Sequence, residues 1–408
     1  MTSEHYRARR WIVEGSCTRS KRPEAFPSGV GGYALYGEGP YVVTRDGRIL
    51  LDWLGSLGAT PLGYTHPRIM AAVNRQVSRG AVFSLPAALE AEVAEQLAEV
   101  IPGAEQFKFF KTGSEAVTAA VNIARSATGR DLLVVDRRSY HGWHDWYRVT
   151  ADYHPGVPDL LKTLVVDWPE SDDLGDLPED TLDRVAAVVV EPPRFRKVRT
   201  EWFQRIHDVA HAHGALVIHD NMVWGGRHAM AGADEYFGLT PDISCFGKAF
   251  GAGHALAFTC GPEAIMQHGW IASGTFSGDA IGLAACEEML HVYRDEAVIK
   301  TLWAAGRRAM SAVELAARRH GVEVEAVGYP PHFTLRFAEE HRLKMSVFCQ
   351  RMASRGILWH PGVTNASAAM GSEELTHTEQ AIDASVAEIA NGYPLVGEMY
   401  QAGARVVP

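Results

Sequence analysis

From residue 107 onward the chain alternates short, uninterrupted apolar runs with segments whose apolar residues recur at helical spacing. The runs at 107–110, 132–135, 164–166, 187–190, 215–218 and 243–246 are too short for helices and carry no polar alternation, so they read as strands covered on both faces. Helices are expected between several of them, notably over 114–127 and 201–213. Strand–helix alternation of this kind predicts an α/β domain with a largely parallel central sheet.

Before this region, two short runs at 41–44 and 49–53 flank Asp46 and Gly47 and predict a hairpin. Pro67 opens an expected helix over 68–79, and Leu89, Val93, Leu97 and Val100 place another over 87–100. Helices return at 286–294 and 297–320. Short strands at 322–327 and 333–337 follow, then helices at 341–355 and 379–390. The expected organisation is an N-terminal segment, 1–65, that joins a smaller α+β domain at 286–408, with a large α/β domain at 66–285.

Charge and cysteines narrow the setting. The 408 residues hold 49 acidic and 39 basic side chains, a net charge of −10, which gives no general attraction to nucleic acid or to an anionic membrane. Five scattered cysteines lack metal-type spacing and suit a reducing compartment. No apolar run approaches the roughly 20 residues that span a bilayer. The polar stretch 1–10 has no signal-peptide core, so a cytoplasmic protein without metal is expected.

The chemistry gathers where apolar runs end, since ligands of open α/β sheets bind beyond the carboxyl ends of the strands. One run ends at Glu191 and another at Asp220. A third delivers Lys248 between Gly247 and Gly251. A lysine in apolar surroundings loses its proton readily and its amine then attacks carbonyls. Thr112, Gly113 and Ser114 sit between a strand and a helix start, where free N–H groups and two hydroxyls form an anion site. Singly, Ser114 reads equally as a plain N-cap, while Asp220 reads more readily as a structural strand end and Lys248 as a surface loop residue. Together they supply what pyridoxal 5′-phosphate requires: a lysine for its aldehyde, an acid for its ring nitrogen and a phosphate cradle. Tyr140, after the run ending at 135, offers an aromatic face.

These residues occur in an order that resembles the class III (subgroup II) aminotransferases of fold type I, particularly glutamate-1-semialdehyde aminomutase and its relatives. The resemblance runs from about Gly39 to Asp383. It rests on Asp46, Gly47 and Asp52; Gly63, His66 and Pro67; Thr112 to Ala116; Tyr140, His141 and Gly142; Glu191 and Pro192; Asp220; Gly247 and Lys248; and Gly274, Thr275 and Phe276. It implies the PLP-dependent transferase fold type I and a homodimer with shared active sites. It further implies that Lys248 binds the cofactor covalently and then moves the proton. By the same resemblance Asp220 pairs with the ring nitrogen, Tyr140 and Met222 cover the two ring faces, and Gly113 and Ser114 hold the phosphate. Thr112, His141 and Glu191 complete the cofactor set, and Thr275 reaches over from the partner subunit.

The departures fall on the substrate side. Asn221 and Met222 follow Asp220 where the family usually has Glu-Val, and Leu57 replaces a substrate-side tryptophan. Trp143 and Trp146 add aromatics, and a basic loop spans 194–199. Expected substrate contacts are Ser56, Trp143, Arg194 and Arg196. The basic loop reads either as a solvated face or as a clamp for a carboxylate or phosphate built from Arg194, Arg196 or Arg199. The expected function is transfer of an amino group between an amino donor and an aldehyde or ketone with an anionic group. An aminomutase, decarboxylase or racemase of the same fold, or a non-catalytic cofactor-binding homologue, is the alternative.

Overall fold

The computed structural model describes residues 3–148, 163–166, 174 and 177–401. The chain divides into two compact units. One comprises Pro67–Pro193 and Lys197–Ile299, and the other Met1–His66, Arg194–Arg196 and Lys300–Pro408.

The larger unit is built on a seven-stranded sheet. Its strands are β1 (Gln106–Phe110), β2 (Leu132–Asp136), β3 (Thr163–Val166), β4 (Val185–Val190), β5 (Leu216–Asp220), β6 (Ile243–Gly247) and β7 (Ala257–Gly261), in the order β1-β7-β6-β5-β4-β2-β3. The pairs from β3 through β6 are parallel, and β7 alone runs antiparallel to both neighbours. Every residue of β4, β6 and β7 is buried, as continuous apolar strands require when both faces are covered. The pattern of apolar runs predicts all of these strands except β7. That strand follows β6 through a Gly-rich turn, and its sequence interleaves Thr259 and Gly261 with apolar residues, so no clean run announces it.

The helices of this unit are α1 (Pro67–Val77), α2 (Ala88–Val100), α3 (Gly113–Thr128), α4 (Thr200–Ala212) and α5 (Ala280–Asp295). Helix α3 lays a stripe of small residues, Ala116, Ala120 and Ala124, against the sheet. Helix α5 starts earlier than its periodicity predicts because Asp279 caps it, accepting from the N–H groups of Ile281 (3.0 Å) and Gly282 (2.9 Å). It packs on α1 and α2, and Arg68 pairs with Glu288 and Asp295. The larger unit therefore extends to Ile299, beyond the boundary expected at 285.

The smaller unit holds a sheet of Ala34–Glu38, Tyr41–Thr44, Ile49–Asp52 and Ile357–Leu358, and a three-stranded antiparallel sheet of Val324–Tyr329, His332–Phe337 and Thr364–Asn365. The predicted hairpin closes at Gly47, whose φ of +85° suits glycine. Trp53, Phe333, Phe348 and Trp359 form an aromatic core, and the Trp53 indole N–H donates to Thr378 at 3.0 Å.

Candidate active site at the carboxyl ends of the large sheet

Strands β5 and β6 pair in parallel register, with Asp220 opposite Cys245, so Asp220 and Lys248 leave neighbouring strands at the same edge of the sheet. Glu191 leaves β4 next to them. The order of the sheet reverses between β2 and β4, since β2 leads outward to β3 while β4 leads inward to β5. Reversals of this kind open a crevice at the strand ends.

Asp220 is almost wholly buried. Its Oδ1 accepts the N–H of Met222 at 3.1 Å, and Nδ1 of His141 lies 2.8 Å from its Oδ2. An ionised carboxylate has about four lone-pair sites, so both oxygens keep capacity for a further donor. His141 is held in place by rings: Trp146 stacks at 6.1 Å and Tyr147 meets it edge-on at 5.2 Å. The Tyr147 hydroxyl donates to the Ser139 carbonyl, and the Trp146 indole N–H donates to Thr118. The other nitrogen of His141, Nε2, is buried and has no hydrogen-bond partner among the described residues.

The segment that carries Tyr140 and His141 is launched by Asp136. Its carboxylate accepts the Arg138 N–H at 3.1 Å, and its carbonyl accepts both the N–H and the hydroxyl of Ser139. Burial, reinforced by Glu191, pushes the Asp136 carboxyl up to about 6 against the pull of Arg138 and His141. Glu191 in turn accepts the Tyr140 N–H at 2.7 Å. The Tyr140 ring is half exposed and meets Tyr147 edge-on.

Helix α3 points its first turn at this edge. Thr112 caps it through a reciprocal box with Glu115, which satisfies the Thr112 and Glu115 N–H groups. A helix start leaves the N–H groups of Gly113 and Ser114 without intrahelical partners, and the macrodipole favours an anion there. Gly142, at φ +102°, packs so closely that a Cβ would fall 2.2 Å from the Ser114 hydroxyl oxygen. The next N–H, of Trp143, donates to that oxygen at 3.3 Å.

Met222 fills the space behind. A Cβ on Gly113 would meet its sulfur at 2.9 Å and a Cβ on Gly247 at 2.8 Å, so the thioether is wedged between the helix start and the end of β6. Lys248 itself adopts φ +47°, a left-handed conformation that costs a non-glycine residue about 1–2 kcal/mol. Strain of this order persists where the surroundings fix it, commonly at functional sites.

Thr112, Gly113, Ser114, Tyr140, His141, Glu191, Asp220, Met222 and Lys248 are thus gathered at one edge of one sheet. Thr275 lies in an exposed turn before α5, and Trp143 is exposed beside the α3 start. The remaining substrate candidates belong to the smaller unit. There Gly55, Ser56, Leu57 and Gly58 all take positive φ, between 50° and 88°. This left-handed turn is anchored by the Asp52 carboxylate on the N–H groups of Leu54 (2.7 Å) and Gly55 (3.2 Å), and by the Asn365 side-chain amide on the Leu54 carbonyl (2.8 Å). In the basic loop the Arg194 guanidinium lies over Phe195, whose ring stacks on His332 at 5.3 Å. Sequence reasoning missed Asp136, Thr118 and Tyr147 as supports. Their signal, a polar tip on an otherwise apolar stretch, is legible only once the partner is known.

A group with a phosphate, a basic ring nitrogen and an aldehyde fits this donor set: paired helix N–H groups, a buried carboxylate with spare acceptor capacity, an orphaned imidazole nitrogen and a lysine. The comparisons agree. Residues 34–389 match the class-III aminotransferase family. The chain is 31% identical to the glutamate-1-semialdehyde 2,1-aminomutase of Neisseria gonorrhoeae, covering 92% of this chain and 94% of that protein. It is likewise 31% identical to that of Symbiobacterium thermophilum over 81% of each. Among solved structures it is similar to an omega-transaminase from Sphaerobacter thermophilus, with TM-score 0.87, 25% identity and 95% and 97% of the two chains covered. The FumI protein of Sphingopyxis sp. MTA144, solved in its PLP internal aldimine form, has the same fold, with TM-score 0.89, 23% identity and 96% of each chain covered. The chain belongs to the class-III aminotransferases and works with pyridoxal 5′-phosphate, the cofactor whose chemical needs the carboxyl edge of the large sheet meets.

Proposed function

We propose that the protein is an aminotransferase that moves an amino group between an amino donor and an aldehyde or ketone acceptor bearing an anionic group. The reading is carried by one observation: a buried, histidine-braced carboxylate, Asp220, and Lys248 leave adjacent parallel strands at the same edge. The cofactor, when bound, supplies an electron sink for the carbanion formed as the proton beside the amino group is removed. Lys248 holds the cofactor and then carries that proton. Asp220 keeps the ring nitrogen protonated, and His141 fixes the carboxylate that does so. The Gly113 and Ser114 N–H groups and the Ser114 hydroxyl hold the phosphate, with Thr112 setting the helix start. Glu191 fixes the backbone of Tyr140, whose ring covers one face while Met222 lies against the other. Ser56, Trp143, Arg194 and Arg196 contact the substrate, the arginines through its anionic group.

The working form is a homodimer in which Thr275 completes the partner's phosphate site. Supporting this, Phe83, Leu85, Trp270, Ile271 and Phe276 are large apolar residues exposed in the larger unit, of the kind a subunit contact covers. Four of the five cysteines are buried and all are free, which suits the cytoplasm. No helix among the described residues is long and apolar enough to cross a membrane.

An intramolecular amino shift is the second reading, favoured by the aminomutase relatives at 31% identity. One experiment separates the two. The cofactor-loaded protein is incubated with single amino compounds, without acceptor, and the products and bound cofactor are followed by mass spectrometry and absorbance. Amino transfer releases one keto product per site and leaves the amino group on the cofactor. An amino shift returns an isomer and the original cofactor. Release of carbon dioxide, or the absence of both a keto product and an isomer from every amino compound, sinks both.

A further inference from the structure

Asp220 has a second carboxylate behind it. Side chains alternate across a strand, so His219 and Asn221 point away from the face that carries Asp220. On that opposite face His219, Asn221 and, from the neighbouring strand, Ser244 converge on Asp234, which is buried. Nδ1 of His219 lies 2.7 Å from its Oδ1, the Asn221 side-chain amide donates to the same oxygen at 2.9 Å, and the Ser244 hydroxyl donates to Oδ2 at 2.6 Å. Ser244 pairs in register with His219, and it stands on β6, the strand that ends in Lys248. Asn221 is locked from its other end, where its oxygen accepts the Ala233 N–H at 2.9 Å. Gly232, at φ +65°, makes room: a Cβ there would fall 2.5 Å from that oxygen.

One carboxylate therefore ties together the residues that flank Asp220 in sequence and the strand that delivers Lys248. The arrangement depends on asparagine at 221. A carboxylate at that position has no N–H to donate and would stand against Asp234 as a like charge inside the protein, an expensive burial. Asn221 is also one of the positions where the sequence departs from the family's usual residue, and its amide is matched to the acid at 234.

We propose that Asp234 is a positioning residue for the cofactor site, acting through Asn221, His219 and Ser244 to fix the spacing between the Asp220 carboxylate and Lys248. It touches neither cofactor nor substrate. The proposal rests on the assignment of Asp220 and Lys248 to the cofactor, and its test separates the two. Apoprotein is prepared as wild type, Asp234→Asn, Asn221→Asp, the double swap Asn221→Asp/Asp234→Asn, and Ser244→Ala. For each, pyridoxal 5′-phosphate affinity, the visible circular dichroism of bound cofactor and the apo melting temperature are measured.

Each single change at 221 or 234 is expected to weaken cofactor binding about tenfold and to alter the dichroic band, since a buried group loses its partner. The swap, which restores one acid facing one amide, is expected to regain most of both. Ser244→Ala, a change small enough to leave folding intact, is expected to weaken binding about threefold. Variants that melt earlier but bind the cofactor like wild type, with the same dichroic band, reduce Asp234 to a structural residue and overturn the proposal. Should Asp234→Asn be insoluble, wild-type affinity in Ser244→Ala overturns it equally. If wild type itself binds the cofactor but borohydride fixes it to a lysine other than Lys248, the underlying assignment has failed instead.

Discussion

Nδ1 of His141 lies 2.8 Å from Oδ2 of Asp220, with both side chains essentially inaccessible to water. The imidazole thus fixes the orientation of the carboxylate proposed to meet the cofactor's ring nitrogen. Asp220→Asn keeps the shape and removes the charge. It is expected to lower kcat by on the order of 10³-fold, within the range of a lost proton-transfer partner, with a smaller loss for His141→Ala. Single-turnover rates with a reactive amino donor check the order of the two effects, and a His141→Ala loss exceeding that of Asp220→Asn contradicts the assignment.

Lys248 takes a left-handed conformation at the end of an entirely buried strand. Lys248→Ala is expected to retain the fold, to bind pyridoxal 5′-phosphate without a covalent link, and to lose on the order of 10³-fold or more in turnover. Borohydride treatment of the loaded wild type followed by peptide mapping should place the label on residue 248. Turnover by Lys248→Ala at the wild-type rate would favour a non-catalytic role for the bound cofactor.

Gly142 leaves no room for a methyl group, because Ser114 occupies the position and φ is +102°. Gly142→Ala should push the Tyr140–Trp143 segment off the start of α3 and weaken phosphate holding. Affinity for pyridoxal 5′-phosphate is expected to fall about tenfold or more, while affinity for pyridoxal, which lacks the phosphate, changes little. Equal losses for the two vitamers would show that the strain is felt elsewhere.

Asp136 has its carboxyl pushed up to about 6, mainly by burial. A carboxyl whose pKa is raised by folding binds its proton more tightly in the folded chain, so stability falls as pH rises from about 4 through about 6 and is level above. Two units correspond to about 3 kcal/mol at most. Asp136→Asn keeps an acceptor for the Arg138 N–H and removes the ionisation. Its melting temperature should exceed that of wild type at pH 7.5 by clearly more than at pH 4.5. A difference independent of pH would mean that Asp136 is ionised throughout.

The sequence by itself determined the strands and the order of the chemistry along them. Uninterrupted apolar runs have one comfortable environment, a sheet covered on both faces, and the polar residue that ends each run must lie at the strand's edge. That is why Glu191, Asp220 and Lys248 were legible without coordinates, as was the helix start at Gly113 and Ser114. Strand β7 was not, since its mixed composition gives no period and only its antiparallel place between β1 and β6 makes it a strand. Nor was the early start of Ala280–Asp295, which capping by Asp279 rather than periodicity sets.

Tertiary structure alone decided which residues serve the site from a distance. His141 meets Asp220 across 79 positions of chain, and Tyr140 meets Glu191 across 51. Asp234, an unremarked acid at the start of a short helix, becomes the meeting point of His219, Asn221 and Ser244 only when β5 and β6 lie side by side. The left-handed turn at Gly55–Gly58 is likewise invisible in a sequence where serine and leucine normally avoid positive φ. Local pattern records what each segment must bury. Which polar groups then satisfy one another is settled by packing, because a buried donor or acceptor takes whichever partner the fold brings within reach.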